Sequence, residues 1–178
     1  RSVLEHAAVL GAQFDDGLLA ETLGLSADDV AFALSDARRA ALIQSDEPGH
    51  HRFVHDSIRE LSLRNVDADV LQQIHQRVGE ALDRRGSGSY EETCAVAWHY
   101  ASGQLERSPL RVHQVARAAG AGALERFDND AALRFFELAR RAAKLGGATL
   151  PWDFELEVGE AHLRLGSLEE SHRAFDTA

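Results

Sequence analysis

The segment from Leu42 to Leu61 constrains the fold most, because it leaves the helical period of the surrounding chain and then returns to it. Leu42-Ile43-Gln44-Ser45 reads as a strand and Arg52-Phe53-Val54 as its return. Asp46-Glu47-Pro48-Gly49 between them is a turn, since proline presets φ and glycine permits a positive one. The return strand runs directly into an amphipathic helix, with His55 and Asp56 at the joint. A hairpin embedded among helices must bury one face against them, which predicts a small module closed by that strand-to-helix corner.

The residues upstream supply the helices. Val3, Leu4, Ala7, Ala8 and Leu10 suit one face of a short helix that stops at Gly11. Asp15 or Asp16 can cap a second, through Leu18, Leu19 and Leu23 to Gly24. Ser26-Ala27-Asp28-Asp29 is an acidic relative of the capping box, and the third helix follows through Val30, Ala33, Leu34 and Ala37. Three helices plus a β-hairpin make a winged helix, expected over residues 1–66. Such a domain often reads DNA with its third helix. Here the exposed positions of that helix are Asp28, Asp29, Asp36, Arg38 and Arg39. A helix opening on two carboxylates meets phosphates badly, so a domain–domain role is favoured and a DNA-binding winged helix is the alternative.

From Asp67 onward every periodic segment is helical. Val70, Leu71, Ile74, Val78 and Leu82 form one stripe, broken at Arg84–Ser89, a stretch with the composition of a loose loop. A helix through Cys94, Val96, Ala97, Trp98 and Tyr100 reaches Gly103. Ser108-Pro109 opens the next, to about Arg126, and Asp128 can cap one through Phe136 and Ala139 to Gly146-Gly147. Two more follow, at about 152–165 and from Leu168, the latter opened by the capping box Ser167-Leu168-Glu169-Glu170. Within this array Gly120, Leu124, Phe136 and Ala139 recur 39 residues later as Gly159, Leu163, Phe175 and Ala178. Ala132 returns as Ser171, another small residue.

Small residues let paired helices approach, and the aromatic fills the gap to the next pair. The pattern resembles the tetratricopeptide repeat from about residue 110, with Gly166 at that family's turn. The spacing exceeds the usual period of about 34, and the excess falls in the Gly146–Pro151 connection. An unrelated α-bundle is the alternative. The expected fold class is therefore mainly α: a winged helix, then a tetratricopeptide-like superhelix over residues 67–178.

Composition limits the chemistry. Across 178 residues the net charge is −10, which disfavours a nucleic-acid or acidic-membrane surface over the whole chain. Cys94 is the single cysteine, so an intrachain disulfide is excluded and a reducing, cytoplasmic setting is expected. No apolar run approaches the roughly 20 residues of a membrane span. The chain starts in a helical pattern, ends in another and contains no methionine, and so reads as an excerpt. It contains no G-x-x-x-x-G-K-[ST], so no phosphate loop lies in it, and no enzymatic motif is present. His50 and His51 read as solvated residues of the wing tip, without further metal ligands nearby. Trp98, His99 and Tyr100 read as core and rim, Cys94 as a small core residue, and Arg140, Arg141 and Lys144 as a solvated helix end.

Val54-His55-Asp56 resembles the Met-His-Asp-type motif of the signal-transduction ATPases with numerous domains, the STAND class, with valine at the first position. Phe53, His55, Ile58, Arg59 and Glu60 also fit the Phe-x-His-x-x-Ile-Arg-Glu pattern of large LuxR-type regulators. The resemblance implies an ATPase core preceding the winged helix, and ATP and ADP as ligands of the full-length protein, with no cofactor in this fragment. It implies that His55 senses the β-phosphate of ADP, with Asp56 in support as a cap for the helix at Ser57. It further implies a transcriptional regulator whose helical repeats bind an inducer or protein partner and whose DNA contact lies in a domain outside these residues. A protein-interaction scaffold with no nucleotide link is the rival reading.

Overall fold

The structure, a computed structural model, describes residues 2–64, 66–86 and 88–178. It is mainly helical, with one small antiparallel sheet, and the chain forms two compact units, Arg1–Arg85 and Gly86–Ala178.

In the first unit the order is α1 (Ser2–Leu10), β1 (Gln13–Asp15), α2 (Asp16–Leu23), α3 (Ala27–Arg39), β2 (Ile43–Glu47), β3 (His50–Phe53), α4 (Asp56–Arg64) and α5 (Ala68–Arg85). The caps are those the side chains allow. Asp15 accepts from the Leu18 N–H at 2.7 Å, and Ser26 from the Asp29 N–H at 3.2 Å. Gly24 ends α2 in the left-handed region, at φ 66°. The sheet order is β1-β3-β2, with Phe14 opposite His51 and Ile43 opposite Phe53. Strand β1 is an addition to the expected hairpin. Three residues are too few to display a period of two, and only the pairing with β3 makes them a strand.

Ala7, Ala8, Phe14, Leu19, Val30, Leu34, Ile43 and Phe53 form the core of this unit, with Ile58 and Leu63 of α4 packed against it. Burial of each large member stabilises by about 1.5–3 kcal/mol. Val9, Ile74 and Val78 make a second cluster flanked by Leu71 and Leu82. That cluster ties α5 to α1, so the compact unit extends to Arg85, one helix beyond the division read from sequence at residue 66. Arg85 also reaches Glu21 at 2.9 Å and Asp15 at 3.4 Å.

The second unit contains α6 (Tyr90–Ser102), a 3-10 turn (Leu105–Arg107), α7 (Pro109–Glu125), α8 (Asn129–Leu145), α9 (Trp152–Arg164) and α10 (Leu168–Thr177). A full capping box opens α6: the Ser89 hydroxyl accepts from the Glu92 N–H, and the Glu92 carboxylate accepts from the N–H groups of Ser89 and Gly88. Those backbone bonds, Gly88 first, hold the Glu92 carboxyl below its usual range. Ser108 and Ser167 occupy N-cap positions without forming the expected side-chain bonds, whereas Asp128 accepts from the Ala131 N–H at 3.0 Å.

The hairpins α7–α8 and α9–α10 repeat in detail at the spacing of 39. Phe136 lies over Gly120, where an added Cβ would fall 2.6 Å from the ring, and Phe175 lies over Gly159 in the same way. Asp128 N–H donates to Ala123 C=O, and its counterpart Ser167 N–H to His162 C=O. Left-handed backbone occurs at Phe127 (φ 61°) and at the matching Gly166 (φ 78°). Ser171 donates its hydroxyl to Gly159 C=O at 2.9 Å, a bond that Ala132 cannot make.

Candidate functional site

The corner between β3 and α4 holds both residues singled out at this junction. It is built by packing on either side. Phe53 is buried in the core, and Val54 N–H donates to Leu42 C=O at 3.1 Å, which ends the hairpin. Beyond the corner, Ile58 and Leu63 dock α4 on the core, and Arg59 donates to Ala8 C=O at 3.4 Å. His55 C=O accepts from the Ile58 N–H at 3.0 Å, which closes the first turn of α4. The imidazole of His55 is exposed, and within the described residues its side chain has no hydrogen-bond or ion-pair partner. An imidazole so placed can donate to an anionic oxygen from outside the unit.

Asp56 is exposed and is itself the first residue of α4. Among the described residues the cap bond expected from it is not formed, because Asp56 already lies within the helix and an N-cap residue must precede it. What remains is a carboxylate in the first turn, which favours the positive end of the helix dipole.

The neighbouring histidines separate. His50 is exposed, but His51 is buried, a correction to the expectation that both are solvated. Strand β3 extends to His50, and its alternation puts His51 on the same inward face as Phe53. The His51 ring lies against Phe14 at 5.6 Å, and its Nε2 is 2.7 Å from Asp16 Oδ1. Gln13, Phe14, Asp46, Glu47, His50 and His51 line a small recess beside the sheet. Among the described residues there is no group of three or more His, Cys, Asp or Glu that could hold a metal ion.

The outward face of α3 carries Asp28, Asp29, Asp36, Arg38 and Arg39, all exposed, and Arg39 is paired with Asp36. Phe32 on the same helix is 74% exposed. The arginine nearest the C-terminal end of α3 is thus partly neutralised by its own helix.

In the second unit, Arg140 is not a solvated helix end. It forms a two-pronged pair with Glu155, at 2.5 and 2.9 Å, and its guanidinium lies 5.3 Å from the Phe154 ring centre. Glu155 is buried, so this pair compensates a carboxylate withdrawn from water. Arg117 of α7 binds Glu157 and Asp153 of α9, and the hydrogen bond to Glu157 is the leading cause that raises its pKa. Neither network is legible in the sequence. Their partners lie 15 to 40 residues apart on different helices, and only the stacking of α8 and α7 against α9 joins them. Trp98 is half exposed while His99 and Tyr100 are buried, and Cys94 is half-buried. Tyr90 beside it is pushed up to about 12, chiefly by burial and then by its hydrogen bond with Cys94.

Among the described residues no helix is long and apolar enough to cross a membrane. No protein-family model, no curated protein and no solved structure matches this chain.

Proposed function

We propose that residues 1–66 are a winged helix that reports the nucleotide state of a preceding ATPase domain, and that the helices after them form a tetratricopeptide-like superhelix which binds an inducer or protein partner. The full-length protein is then a cytoplasmic signalling ATPase of the STAND type acting as a transcriptional regulator. Its DNA contact lies outside these residues. The fragment itself performs no catalysis.

The observation that carries this reading is the exposed imidazole of His55, without a hydrogen-bond or ion-pair partner among the described residues, at a corner packed and hydrogen-bonded on both sides. Imidazole is a good donor to a phosphate oxygen, and its charge changes near neutral pH. Such a group would favour the ADP-bound, closed arrangement of a phosphate-holding neighbour. The acidic face of α3 supports a protein neighbour over duplex DNA.

The test is His55→Ala in the full-length protein, with bound ADP and basal output both measured. The expected result is at least tenfold faster ADP release and raised basal output. Unchanged retention and unchanged output would leave the fragment as an interaction scaffold without a nucleotide link. A mobility-shift titration of residues 1–85 with duplex DNA should detect no salt-sensitive binding.

A further inference from the structure

The recess beside the sheet has a wall whose polar chemistry the fold leaves unmet. His51 is 4% exposed, and its Nε2 lies 2.7 Å from Asp16 Oδ1. A carboxylate only accepts, so the proton at this contact belongs to Nε2, and the neutral ring presents Nδ1 as a bare acceptor. Nδ1 is buried, and among the described residues it has no hydrogen-bond partner. An unmet buried acceptor costs the full desolvation of that group. The ring is held inward by the alternation of β3 and by its contact with Phe14, neither of which supplies a donor.

The recess has a volume of about 280 Å³, more than a single bridging water fills, since a water's share of the liquid is about 30 Å³. Its other charged walls are acidic. The Glu47 carboxylate is exposed and has no partner among the described residues, and the same holds for the side-chain amide of Gln13. Asp46 is already matched by Arg52 at 2.7 Å. Phe14 adds an aromatic surface. Among the described residues these side chains do not make the grouping that a metal ion needs. The missing donor is then an organic group with N–H bonds for His51, positive charge for Glu47 and a flat face for Phe14. A guanidinium has all three, and it sheds water more readily than an ammonium does.

We propose that the recess between Phe14, Glu47 and His51 binds a guanidinium group. Glu47 balances its charge, the side-chain carbonyl of Gln13 and Nδ1 of His51 accept its N–H groups, and the Phe14 ring forms the wall beside its plane. The group comes either from an arginine side chain of a partner polypeptide or from a free small guanidine. This site goes beyond the proposed function. It uses neither His55 nor α4, so each can fail without the other.

The probes are N-acetyl-arginine N-methylamide, which stands for a partner's arginine, and agmatine, which stands for a free guanidine. N-acetyl-lysine N-methylamide is the control. Each is titrated into the whole chain at about pH 8, where an ordinary imidazole is neutral. The guanidinium probes should bind saturably and move the ring-nitrogen resonances of His51 while leaving those of His55 in place. The tighter of the two identifies the source. The lysine probe should bind at least about fivefold more weakly. Glu47→Gln, at an exposed position, should weaken guanidinium binding about fivefold with an unchanged circular dichroism spectrum. His51→Phe keeps a ring against Phe14 but removes the acceptor, and should weaken binding about tenfold. Should that variant misfold, Gln13→Ala with Glu47→Gln decides the matter from the exposed side. Absence of saturable binding, equal affinity for the lysine probe, or binding indifferent to Glu47→Gln overturns the proposal.

Discussion

At the residue scale, the two buried approaches of a ring to a glycine differ in one respect that can be measured. Phe136 has no solvent to move into and Phe175 has. Gly120→Ala should therefore cost about 1–3 kcal/mol by overpacking. Gly159→Ala should cost clearly less, because Phe175 can swing outward. Urea midpoints read by tryptophan fluorescence compare the two, since Trp98 and Trp152 both lie in this unit. Phe127 offers the opposite case. It holds a left-handed backbone at φ 61° where its repeat partner is Gly166. A bulky residue there is strained, so Phe127→Gly should raise stability by about 0.5–1 kcal/mol despite losing the Arg164 contact. An unchanged or lowered midpoint would mean that the arginine–ring contact outweighs the strain. His51 belongs to this scale too. Its burial was readable from its two-residue distance to Phe53, once β3 was extended toward the turn.

At the scale of the element, repeat counterparts again serve as internal controls. Asp128 caps α8 through its side chain, and Ser167 stands at the same position of α10 without that bond. Asp128→Ala should cost about 1 kcal/mol, and Ser167→Ala little. Thermal denaturation of the two variants tests the ordering. Equal losses would show that backbone geometry, common to both positions, matters more than the cap bond. Helix α5 carries a pH-dependent contribution. Burial lowers the pKa of His75 below the ordinary imidazole value of 6.5. The folded state then binds the proton less readily than the unfolded chain. This contribution to stability is complete above about pH 6.5, declines as pH falls, and is lost once both states are protonated. The urea midpoint of the first unit should fall between pH 7.5 and 5.5, and His75→Gln should flatten that part of the decline. Hydrogen exchange in α5 reads it directly. An equal decline in the variant would assign the acid sensitivity to other groups.

At the scale of the whole molecule, a net charge of −10 at pH 7 keeps copies of the chain apart. That repulsion vanishes near the isoelectric point of about 5.3, where light scattering should show a solubility minimum. Much of the architecture was already present in one-dimensional patterns. Helical periods, the Pro48-Gly49 turn, the Asp15, Ser26 and Asp128 caps, and the recurrence at 39 are local or strictly spaced, and each describes a segment that decides its own conformation. The exposed corner at His55 was legible for the same reason, since a strand followed at once by a helix defines it. Tertiary structure decided the rest. It recruited Gln13–Asp15 as a third strand, assigned α5 to the first unit, turned His51 inward, and paired Arg140 with Glu155. These outcomes depend on which surfaces meet, and contacts between residues far apart in the chain leave no period or spacing to read.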